Sequence, residues 1–131
     1  MNGRGKLVYP AHRFKPEDLL TFIELKPFTR LWNHLKLTDD DLSLVQLAIM
    51  CEPKAPPVIE DCAGVRKIRF SPRASGKGKS GSMRCCYKYF EEHKVVALAI
   101  VYPKGTKEDI SEDDKSRIRR AIQEIERELD R

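Results

Sequence analysis

The chain has 131 residues, 40% of them hydrophobic, which suits a single domain with its own core and argues against wholesale disorder. Its 25 lysines and arginines outnumber 20 acidic residues, for a net charge of +5 and a pI near 9.1. No stretch approaches the roughly 20 apolar residues that cross a bilayer, and the opening "MNGRGKLVYPAHRF" lacks an apolar signal-peptide core, so a cytoplasmic protein is expected.

Residues 1 to about 20 mix glycine, proline and charge without periodicity, and read as a poorly ordered or loosely docked extension ahead of a domain at 21–131. "TFIEL" (Thr21 to Leu25) is a short β-branched and aromatic run that predicts a first strand. Pro27 suits the first turn of a helix, "PFTRLWNHLK", with Phe28, Leu31, Trp32 and Leu35 on one face. Thr38 predicts the cap of a second helix, with three aspartates placed well for the helix dipole and Leu42, Val45, Leu47 and Ile49 lining it. That helix should stop before "EPKAPP", giving an αα-hairpin.

The second half changes character. "VRKIRF" reads as a strand, the Gly/Ser/Lys stretch after it as a loop, and "MRCCYKYF" as another strand. "EEHK" then turns the chain into "VVALAIVY", the most apolar strand and the expected centre of the sheet. Ser111 with Asp114 resembles a capping box, and Ile118, Ala121, Ile122, Ile125 and Leu129 follow helical spacing. The expected class is α+β, in the order β-α-α-β-β-β-α, with a small, mainly antiparallel sheet.

The basic charge is local. Seven bases and no acid lie between Arg66 and Arg84; without them the chain holds 18 bases against its 20 acids. Such clustering points to a polyanion. Strand alternation puts Arg66, Ile68 and Phe70 on one side of "VRKIRF" and Lys67 with Arg69 on the other, where Arg84 of the next strand can join them. Arg73, Lys77 and Lys79 in the loop suit a phosphate backbone. A solvated edge strand guarded by lysine and arginine accounts for part of this charge, but not for three bases within "RKIR". Tyr102 and Lys104, at the end of the apolar strand, suit an aromatic ring and a cation beside a bound base; Tyr102 as a half-buried aromatic stays equally open.

"GKGKS" is not a nucleotide-binding P-loop. The glycine required five residues before Gly78 is Arg73, and the segment runs into a strand rather than a helix. The four cysteines form no CxxC pair and have no histidine at zinc-like spacing, so no metal or other cofactor is expected; Cys85 and Cys86 should pack on opposite faces of a strand. His12, His34 and His93 offer no acid/base pair, and helix entry is the default role of Glu108 and Asp109.

In this order "GVRKIRF", "GKGKSG", "MRCCYKY" and "VYPKGTKEDIS", with "FIELKPFTRLWNHLKLTDDDLSLVQLAI" upstream, resemble the HigB-type branch of the RelE/ParE superfamily of bacterial toxins. The match runs from about Thr21 to the C-terminus; residues 1–20 have no counterpart. The resemblance implies a RelE-like fold and a toxin that cuts mRNA in the ribosomal A site by attack of the ribose 2′-hydroxyl on the adjacent phosphate, without metal. It implies Lys67 as candidate general base, Arg69 and Arg84 as holders of the scissile phosphate, and Lys104 as donor to the leaving 5′-oxygen. Tyr102 is then expected to stack on an mRNA base, while Arg66, Arg73, Lys77 and Lys79 grip RNA. Some relatives use a histidine or glutamate at the cut, and this sequence has neither in place. The implied partner is a HigA-like antitoxin with a helix-turn-helix. A ParE-like gyrase inhibitor, a non-catalytic RNA-binding protein and a degenerate toxin remain as alternatives.

Overall fold

The computed structural model describes residues 19–72, 82–105 and 110–131. Most of the extension expected at 1–20 lies outside them. The described elements follow the expected order: β1 (Thr21–Glu24), α1 (Lys26–His34), α2 (Asp39–Cys51), β2 (Arg66–Phe70), β3 (Met83–Phe90), a 3-10 turn at Glu91–His93, β4 (Val95–Pro103) and α3 (Glu112–Leu129).

The strands form one sheet in the order β1-β4-β3-β2. β2 with β3 and β3 with β4 are antiparallel, while β1 lies parallel to β4 at the far edge. β4 is buried along eight of its nine residues because both sheet faces are covered, as its unbroken apolar run requires. On one face α1 and α2 pack Phe28, Trp32, Leu42, Val45 and Ile49 over Cys85, Tyr87, Leu98 and Val101. On the other, Ile118 and Ile122 of α3 close over Cys86, Ala97, Ile100 and Tyr102. Cys85 and Cys86 thus serve opposite cores as fully buried thiols outside any disulfide.

The register between β3 and β4 shifts between Cys86 and Tyr87: Cys86 faces Ile100 and Tyr87 faces Leu98, which leaves Ala99 as the extra residue of a bulge. The bulge sends Leu98 to the α1/α2 side and Ile100 to the α3 side, although even spacing alone puts both on one face.

α2 begins with a complete capping box. Thr38 Oγ1 accepts from the Asp41 amide at 3.1 Å, and the Asp41 carboxylate accepts from the Thr38 amide at 3.0 Å. Replacing Thr38 with alanine should therefore destabilise the fold by about 1 kcal/mol, read as a lower urea midpoint at unchanged slope.

Candidate nucleic-acid interface

β2 and β3 pair so that Arg69 stands directly opposite Arg84 and Lys67 opposite Cys86; across the next ladder Arg84 faces Tyr102 and Cys86 faces Ile100. Opposed residues of an antiparallel ladder share a face. Lys67, Arg69 and Arg84 therefore project from the α3 side of the sheet, and Ile68 and Phe70 pack on the α1/α2 side. Arg69 is exposed, and Lys67 and Arg84 are half-buried. Lys104, exposed just beyond β4, hangs its amide on the Ser82 carbonyl at 3.0 Å, which brings it to the end of the strand that carries Arg84.

Like charges directly opposite each other on a sheet destabilise it by a few tenths of a kcal/mol, up to about 1. No salt bridge among the described residues offsets that cost: Lys67, Arg69, Arg84 and Lys104 form none. The hydrogen bond from the Arg84 guanidinium to Ser82 Oγ, at 3.3 Å, leaves most of its donors available. The arrangement is a fork of cations ready for an anion with several oxygens.

Two expected contacts fall elsewhere. Arg66 emerges on the other face, opposite Tyr87, and its guanidinium donates to the carbonyls of Lys54 and Pro56, both at 2.8 Å. Together with the Tyr87 hydroxyl, which donates to the Pro53 carbonyl at 2.8 Å, it fastens the 53–57 segment to the sheet rather than sharing the face of Lys67. Burial pushes the Tyr87 phenol up to about 12, so it stays a donor at neutral pH. Tyr102 is only 6% exposed within the α3-side core, beside Ile110 and Ile118, which leaves almost no ring surface for a base to stack on. Arg73, Lys77, Lys79, Glu108 and Asp109 lie outside the described residues.

One feature was not visible in the sequence. Residues 57–59 fold back along the outer edge of β2: the Lys67 amide donates to Pro57 O at 3.0 Å, Ile59 N to Val65 O at 2.8 Å, and Val58 bridges Arg66. The chain then reverses through left-handed backbone at Asp61, Ala63 and Gly64. Arg119 of α3 holds that reversal, donating to Asp61 O at 2.7 Å and lying 3.5 Å from its carboxylate. Between this loop and the start of α3 is a hollow of about 470 Å³ that includes Lys67, Val58, Glu60, Ile110 and Lys115. Burial raises the nearby Cys62 thiol, against the pull of Lys115 and Arg119, so it remains a neutral packing group.

No family model matches the chain. Its architecture is similar to that of the Escherichia coli toxin RelE, solved as an arginine-to-alanine double mutant in the free state: TM-score 0.51, 16% identity, 77% of this chain and 95% of that chain covered. The chain has a RelE-like fold. The sheet carries Lys67, Arg69 and Arg84 on the side where α3 packs, and Arg66 on the other. Among the described residues, no helix is long and apolar enough to cross a membrane.

Proposed function

We propose that the protein is a toxin of the HigB-type branch, a ribosome-dependent endoribonuclease that cuts mRNA and stops translation. The observation that carries this reading is the Arg69–Arg84 pair, directly opposed across β2 and β3, with Lys67 on the same face and no salt bridge to any of the three among the described residues. An RNA phosphate supplies the missing negative charge. The fold's likeness to RelE supports the same class of activity.

In this mechanism the 2′-oxygen bonds to phosphorus, the P–O5′ bond breaks, and the products are a 2′,3′-cyclic phosphate and a 5′-hydroxyl. Lys67, as an amine, accepts the 2′-hydroxyl proton, and Lys104 donates one to the departing 5′-oxygen. Arg69 and Arg84 hold the non-bridging oxygens, where charge grows as the phosphorus crowds. The ribosomal A site aligns the strand and turns a slow encounter into a positioned reaction. Arg73, Lys77 and Lys79 grip RNA around it. A HigA-like antitoxin with a helix-turn-helix keeps the toxin silent.

Primer extension on cellular mRNA during induced expression tests the proposal. New 5′ ends within codons of translated messages are expected, and should vanish when initiation is blocked. DNA breaks with intact mRNA point instead to a gyrase inhibitor; RNA binding without new ends points to a non-catalytic binder.

A further inference from the structure

Gripping phosphate does not account for the hollow beside Lys67. A site for phosphate alone needs no carboxylate, which repels the ligand, and no apolar wall. This one has both: Val58 and Ile110 line it, together with the carboxylates of Glu60 and Glu112 and the side chains of Lys67 and Lys115. Glu60 has no ion-pair partner among the described residues, whereas Lys115 is shared with Glu112 only at 3.8 Å. Val58 is 52% exposed, a large apolar side chain that folding leaves in water at the rim.

Apolar walls with lysine donors and a carboxylate, Glu60, that no ion pair among the described residues engages suit a nucleobase taken out of its stack. Guanine fits the set best. Its N1–H and N2 amino group are two neighbouring donors for one carboxylate, and its O6 and N7 are acceptors for an ammonium group. Adenine, cytosine and uracil present no such pair of adjacent donors on one edge. Lys67 and Arg69 are two residues apart on β2, about 7 Å along the strand, so the base and the held phosphate belong to the same nucleotide or its neighbour.

We propose that this hollow is a guanine-reading subsite beside the scissile phosphate, with Glu60 accepting from N1–H and the N2 amino group, Lys115 donating to O6, and Val58 with Ile110 enclosing the ring. The inference rests on the RNA-cleavage reading and names its base preference.

The test titrates GMP, AMP, CMP and UMP into the full-length protein by calorimetry and by amide chemical shifts. All four carry the same phosphate, so differences report the base. GMP should bind about tenfold or more tightly than AMP or UMP, with shifts at Val58, Glu60 and Lys115. Glu60→Gln should remove that preference, lowering the GMP affinity without lowering that for AMP; Glu60 is exposed, so the fold is not at stake. Val58→Ala, also at an exposed position, should weaken all four nucleotides modestly and serves as a second probe of the same wall. Equal affinity for the four nucleotides, or shifts confined elsewhere, overturns the subsite. In cells, wild-type cuts should cluster at guanines and Glu60→Gln cuts should scatter. Abundant mRNA cuts with no base bias overturn the subsite and leave the nuclease standing. Selective GMP binding without any cuts does the reverse.

Discussion

Replacing Arg84 with alanine should lower mRNA cleavage by roughly 100- to 1000-fold, the usual loss when one fixed donor to a developing oxyanion is removed. The fold should not suffer. Arg84 is half-buried and makes one long hydrogen bond, to Ser82, so its loss belongs with surface substitutions that move stability by no more than about 0.5 kcal/mol. Relief of its repulsion with Arg69 acts in the stabilising direction. Activity and stability therefore move apart, which a general unfolding effect cannot imitate. Arg84→Lys keeps the charge but loses the planar fork, and should recover only part of the rate. Growth curves, primer extension and a thermal melt of each variant make the comparison. A folded Arg84→Ala protein that arrests growth like the wild type removes Arg84 from the mechanism.

The largest stability loss is expected at Trp32. This side chain is fully buried, and its ring stacks between Phe28 at 5.3 Å and Phe70 at 5.7 Å. The three rings tie α1 to the end of β2, the strand that carries Arg69 one residue earlier. Trp32→Ala should cost about 3–5 kcal/mol, a large share of the roughly 5–15 kcal/mol that holds a domain together. Trp32→Phe should cost far less. It keeps the stack and discards an indole N–H that meets no acceptor among the described residues, a burden of about 1–3 kcal/mol. Urea titrations of both variants check the pair. An alanine variant within 1 kcal/mol of the wild type, by the scale of buried aromatic truncations, contradicts the packing described.

What the chain discloses beforehand divides along physical lines. Local features were legible: the Thr38 cap, the two-residue alternation in "RKIRF", and the helical spacing of Ile118, Ile122 and Ile125 are all set by neighbours in sequence. From that alternation Lys67 and Arg69 fall on one face, and the structure puts Arg84 across from them. The errors came from distant partners. Arg66 has the expected phase, but the carbonyls of Lys54 and Pro56 occupy its guanidinium, and no periodicity registers that. Tyr102 is buried in a core that Ile110 and Ile118, from a later segment, complete. The bulge at Ala99 left no trace, because "VVALAIVY" is apolar at every step and its phase is unreadable. The parallel pairing of β1 with β4 joins segments separated by the whole helical hairpin and by two strands. The hollow needed both a loop doubled back on β2 and the first turn of α3, which only tertiary structure brings together.

The placement of α3 also bears on timing. Synthesis runs from the N-terminus, so every strand leaves the ribosome before the helix that roofs Cys86, Ala97 and Ile100. Until Ile118 and Ile122 emerge, that side of the sheet is open to water, and the recess beside Lys67 lacks the wall that Ile110 and Lys115 supply. That recess is complete only once α3 has docked on the sheet.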